Sequence, residues 1–169
     1  ALDTNVVTHC GPPAGVAPIA ERTLGIDRLI DAPVEKLWRC WTEPSLLMEW
    51  FCPKPWRVSD ATIDLRPGGV FDTTMRGPEG EVIPNIGQIA ALEPMRRIVL
   101  SDAYVGDWIP SGKAFLTSDI RFTPEGGKTR YVWRALHWSG DDTKAHEAMG
   151  FHAGWNAAAD QLEALAKSL

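Results

Sequence analysis

The last thirty residues carry the plainest pattern in the chain. Ala148, Phe151, Trp155, Ala158, Leu162, Leu165 and Leu169 recur every three or four positions, while Asp160, Glu163 and Lys167 fall on the opposite side. That period predicts one long amphipathic helix with a continuous apolar stripe. Asp141 or Asp142 is placed to cap it and to set negative charge at the positive end of its dipole. Near the other end of the chain, Leu24, Ile26 and Ile30 predict a strand that breaks at Asp31-Ala32-Pro33. Pro33 fixes φ where a helix can open without a backbone donor. Val34, Leu37, Trp38 and Trp41 then repeat at helical spacing. Pro44 is expected to end that helix, Ser45 to cap a second short one through Trp50, and Pro53 and Pro55 to stop it.

Between these helices the pattern is β. Val58 to Leu65 alternates loosely, Arg66-Pro67-Gly68-Gly69 reads as a turn, and Val70 to Arg76 as the return strand with Phe71, Thr73 and Met75 on one face. Ile83 to Leu92, Arg97 to Tyr104, Ala114 to Phe122 and Thr129 to Trp138 complete a meander, punctuated by Glu93-Pro94 and Pro124-Glu125-Gly126-Gly127. Consecutive antiparallel strands without crossover helices predict an α+β domain. Residues 1–20, with Gly11-Pro12-Pro13-Ala14-Gly15, read as an irregular arm, and residues 21–169 as one domain.

The net charge of -5 and pI near 5.3 argue against a nucleic-acid partner, which needs clustered cations. No apolar run reaches the roughly 18 residues that span a bilayer, and no secretory pattern opens the chain. A cytoplasmic protein without a membrane partner is the expectation. Cys10, Cys40 and Cys52 are an odd set with no close pair, so neither a disulfide framework nor a CxxC site is expected. Cys40 follows Trp38 on the first helix and reads as a small buried hydrophobe. Nucleotide-binding and nucleophile-elbow motifs are missing, so no cofactor is assigned. Asp64 with Arg66 reads as a strand-end ion pair, and Arg76 and Arg134 as groups that need a carboxylate partner if buried. His146 and His152 sit six positions apart, a rotation of about 240° on one helix, so they form no zinc pair and no metal site is expected.

Eight tryptophans are the anomaly of the composition. Indole combines a large apolar area with one donor and serves cores and cavity walls equally well. The order Ile30-Asp31-Ala32-Pro33-Val34-Glu35-Lys36-Leu37-Trp38, then Trp50, Pro53, Asp64-Leu65-Arg66-Pro67-Gly68-Gly69 and Gly150-Phe151-His152-Ala153-Gly154-Trp155, resembles the START-like (Bet v 1-like, SRPBCC) superfamily. Within it, the chain is similar to the branch named after the activator of Hsp90 ATPase, over roughly Glu21 to Leu169. The resemblance implies a helix-grip fold: a curved antiparallel sheet of about six to seven strands around the long C-terminal helix, with two short helices after the first strand.

It also implies a cavity between helix and sheet that binds a small hydrophobic or aromatic molecule. Candidate lining residues are Trp50, Phe71, Met75, Trp108, Trp133, His137, Trp138, Phe151, His152 and Trp155, with Trp50, Trp108 and Trp138 at the mouth. Two alternatives stay open. Some relatives resemble polyketide cyclases and aromatases, for which His137, His152, Asp72 or Arg76 would be the acid–base groups. The branch name implies Hsp90 co-chaperones, but those carry a separate N-terminal domain where this chain has a short arm, so the Hsp90 interaction does not carry over directly. A homodimer is also left open.

Overall fold

A computed structural model describes residues 15–169. Most of the N-terminal arm, and Cys10 with it, lies outside the described residues. After a 3-10 turn at Ile19–Arg22 the chain runs β1 (Thr23–Ile30), α1 (Val34–Thr42), α2 (Pro44–Trp50), β2 (Arg57–Ile63), β3 (Phe71–Arg76), β4 (Val82–Asn85), β5 (Gln88–Glu93), β6 (Arg97–Ser101), β7 (Leu116–Glu125), β8 (Lys128–His137), α3 (Gly140–Ala148) and α4 (Phe151–Ser168). All pairing is antiparallel. One sheet has the order β1-β8-β7-β6-β5 and the other β2-β3-β4.

The eight strands exceed the expected six to seven because the Ile83–Leu92 segment divides. Its first half pairs with β3 and its second with β6. The changeover at Ile86-Gly87 also joins the sheets. The Gly68 and Ile89 amides donate to the Ile89 and Gly69 carbonyls at 2.7 and 2.8 Å, and the Phe71 amide donates to the Gly87 carbonyl at 2.9 Å. The two sheets thus form one curved surface. The Arg66–Gly69 turn stands as expected: Gly68 has φ +84°, and a Cβ on Gly69 would run into the Asp64 carbonyl. The β7–β8 turn is tighter than its sequence suggested, because β7 continues through Pro124 and Glu125 and only Gly126-Gly127 reverse the chain.

Two helix boundaries differ from the sequence reading. Pro44 opens α2 at its first turn and does not merely end α1, and Ser45 makes no cap, since Glu43 holds the N-cap position. This is proline's favoured place, where its missing donor costs nothing. The C-terminal helix is two helices. Ser139, not Asp141 or Asp142, caps α3, its Oγ accepting from the Asp142 amide at 3.0 Å. The chain then turns through Gly150 at φ +88° before α4 begins. Ala148 is accordingly exposed, and the buried stripe runs through Phe151, Ala158, Ala159, Leu162 and Ala166, with Trp155 and Leu165 half-buried beside it.

Candidate ligand site

Alternation along β8 turns Tyr131, Trp133, Ala135 and His137 toward α4. Around Trp133 of β8 four further elements deliver aromatic rings to one place. Trp41 comes from α1, Trp50 and Phe51 from the end of α2, Phe71 from β3, and Phe151 and Trp155 from α4. The rings meet mostly edge to face: Trp133 lies 4.0 Å from Trp155 and 5.8 Å from Phe151, and Trp41 lies 5.1 Å from Trp50 and 6.4 Å from Trp133. Edge-to-face contacts satisfy the ring quadrupoles and add to the area term. Trp50 Nε1 donates to the Cys40 carbonyl at 2.9 Å. Trp133 Nε1 is buried with no acceptor, and Trp41 Nε1 makes no well-formed hydrogen bond but faces the Tyr131 hydroxyl.

The thiols nearby are inert. Burial pushes both Cys40 and Cys52 up to about 11, so each stays protonated at neutral pH. Burial likewise holds the Tyr131 hydroxyl well above its ordinary range. Below the cluster, a cleft of about 500 Å³ opens between α2, the segment that follows it and α4. Met48, Cys52, Pro55 and Trp56 supply its apolar wall, with Lys54 and Arg57 on the rim. Gln161 of α4 fixes that segment, its Nε2 donating to the Trp50 and Cys52 carbonyls at 3.0 and 2.7 Å while its Oε1 accepts from the Lys54 amide at 3.1 Å.

Of the ten residues expected to line a cavity, Trp50, Phe71, Trp133, Phe151 and Trp155 come together in this cluster, and Met75 packs against its margin. They pack on one another. The expected meeting of Trp50, Trp108 and Trp138 at one void does not occur. Trp108 is half exposed on the loop after β6, its ring against Tyr104 and beside Gly68, and its amide donates to the buried Gln88 Oε1 at 2.8 Å. Trp138 follows His137 and so takes the opposite side of the sheet. There it borders a shallow groove of about 260 Å³ with Ile19 and Leu136. Strand alternation decides this, since neighbouring residues face opposite ways. His152 is exposed near the start of α4.

The acid–base candidates are spread out. Asp72 Oδ1 accepts from the Gly87 amide at 3.2 Å, at the joint between the sheets, and Arg76 Nε donates to Ser59 Oγ at 3.0 Å. His137 is buried and joined to His146, which the helical argument had set aside. His137 Nε2 and His146 Nδ1 lie 2.8 Å apart. The sequence reading placed His146 and His152 on one helix and so overlooked a partner supplied by a strand end. Asp64 and Arg66 pair as expected at 2.7 Å, with Asp107 as a second partner at 3.0 Å. The partner of Arg134 is Asp119, shared with Arg97 and Arg121. Among the described residues no helix is long and apolar enough to cross a membrane.

Comparison with solved structures extends the picture. A protein from Nitrosomonas europaea is 42% identical, with 88% of this chain and 96% of that one aligned at a TM-score of 0.85. A protein from Mycobacterium smegmatis is 27% identical over 88% of this chain and 92% of its own, at 0.74. An AHSA1-like protein from Aeromonas hydrophila, 19% identical over 86% and 92%, shares the fold at 0.67. No curated protein matches the chain. Residues 31–167 match the model of the activator of Hsp90 ATPase homolog 1-like proteins, and the chain belongs to that family, within the START-like, Bet v 1-like fold.

Proposed function

We propose that the protein binds a small apolar or aromatic molecule bearing a hydrogen-bond acceptor, held between α4 and the curved sheet. One observation carries this reading: the indole donor Trp133 Nε1 is buried among aromatic rings with nothing to accept from it, and Trp41 Nε1 beside it makes no well-formed hydrogen bond, with only the Tyr131 hydroxyl near enough to act on. Buried donors without partners are uncommon, because each forfeits its hydration for nothing. A ligand carbonyl or ether oxygen among these rings would satisfy Trp133 Nε1, while the rings would supply the apolar burial that dominates affinity. The surrounding rings must shift to admit the ligand, and the cleft beside Cys52 is its way in. Family membership supports the reading because this fold sets a helix against a concave sheet.

Titration calorimetry with acetophenone and ethylbenzene tests it, since the two differ little in shape but only the ketone is an acceptor. Acetophenone should bind more tightly. Trp133→Phe should remove most of that preference, about three- to tenfold, the worth of one hydrogen bond. Equal affinities for the two compounds, or no binding of either, would overturn the proposal.

A further inference from the structure

At the far end of β8 a second arrangement of polar groups stands apart from the indole donors. His137 ends the strand, fully buried, and His146 lies in the last turn of α3. His137 Nδ1 is 3.1 Å from the Arg22 carbonyl oxygen. A carbonyl only accepts, so this nitrogen carries the proton. In the uncharged ring Nε2 is then a lone pair, and it faces His146 Nδ1 at 2.8 Å. That contact forms only if His146 Nδ1 carries its own proton. Both rings are therefore fixed as Nδ1–H tautomers, and the one group left over is the lone pair on His146 Nε2.

No described residue hydrogen-bonds to that nitrogen, and it is not among the fully buried unpaired atoms. Its ring is flanked by aromatic rings, Phe151 at 4.9 Å and Phe115 at 5.4 Å between centroids. Phe115 is itself held in place, its amide donating to the Asp102 carboxylate at 3.0 Å. Burial lowers His146 to about 4, which keeps its ring uncharged and the lone pair available at neutral pH.

We propose that His146 Nε2 is the acceptor of a second binding site, one that takes the hydroxyl of an aromatic alcohol or phenol lying against Phe115, with the buried Phe151 ring backing the imidazole. His137 acts as a positioning residue that sets the tautomer without touching the ligand. The site differs in sign from the interior one, which offers donors. It stands whether or not the interior takes up a ligand.

Long-range 1H–15N spectra of the histidine rings give the test. In the free protein both His137 and His146 should show the Nδ1–H pattern, which is the rarer tautomer of the free histidine side chain. Phenol should shift the His146 Nε2 resonance, whereas toluene, of nearly the same shape, should leave it in place. His146→Phe should cut the preference for phenol over toluene by about three- to tenfold. His137→Phe should let His146 relax to the Nε2–H form, which the same spectra report even if phenol binding persists. An Nε2–H pattern for His146 in the native protein, or equal shifts with phenol and toluene, would overturn the assignment.

Discussion

Strands β7 and β8 present two faces built on opposite principles. Toward α4 they offer Ile120, Phe122, Tyr131, Trp133 and Ala135, all buried, and that face is held by apolar area and ring packing. Away from it, Asp119 sits opposite Arg134, and Arg121 opposite Val132, in the paired register. There a single buried carboxylate gathers three guanidiniums, Arg134 at 2.7 Å, Arg97 at 2.9 Å and Arg121 at 3.1 Å. Burial alone would raise Asp119, but these hydrogen bonds outweigh it and hold the carboxyl well below the usual carboxylate range. The same backbone thus carries a dense aromatic interior and a fully partnered charge cluster, one residue out of step. The difference shows where ligand chemistry belongs. The outer carboxylate has its donors, whereas the inner face keeps the Trp133 donor with no acceptor.

Substitutions can break this contrast. The largest effect is expected inside: Trp41→Ala removes a fully buried ring from the centre of the cluster and should cost about 3–5 kcal/mol in denaturant melts. Outside, Asp119→Ala leaves three arginines facing one another. Because those arginines are a third to a half exposed, solvent screens them, and a loss of about 1–3 kcal/mol is expected. The pH dependence should separate this from simple packing. A carboxyl depressed in the folded state contributes fully above its unfolded value near about 4, and the contribution drains away as pH falls toward the folded value. Asp119→Asn should therefore flatten the acid limb of the stability curve.

His146 predicts a slope in a different window. Its folded pKa is lowered to about 4, so between there and the ordinary histidine value of about 6.5 the unfolded chain binds the extra proton. Stability should fall as pH drops through that range, and His146→Phe should remove the slope. The smallest effect is expected at Asp160, exposed on α4 and paired with Arg28 at 2.6 Å. Asp160→Ala should stay within about 0.5 kcal/mol, and a larger loss would mean that the outer side of α4 has been misassigned.

Features that depend on period and on proline or glycine were legible in the sequence: β1, α1, the Gly68 turn and the stripe of α4 all follow from short-range rules. Features that depend on which side chains meet across the fold were not. Gly150 looks tolerable inside a helical period, yet its left-handed conformation separates α3 from α4 and brings His146 back to the end of β8. The family resemblance sets Trp108 and Trp138 at a cavity mouth, but a loop anchored on Gln88 and the alternation of β8 leave both about half exposed. Trp41 reads only as part of a helical face, because nothing in its local sequence shows that its indole N–H ends up buried facing the Tyr131 hydroxyl.

The central claim, that the interior awaits an acceptor, is tested most directly on the indole protons. In 1H–15N spectra the Trp133 Nε1–H or the Trp41 Nε1–H resonance should move downfield as acetophenone is added, while that of Trp50, already donating to Cys40, should move least. Ethylbenzene should produce no such downfield shift. If acetophenone instead moves only the exposed indoles of Trp108 and Trp138, the ligand site lies on the surface and the account of the interior is wrong.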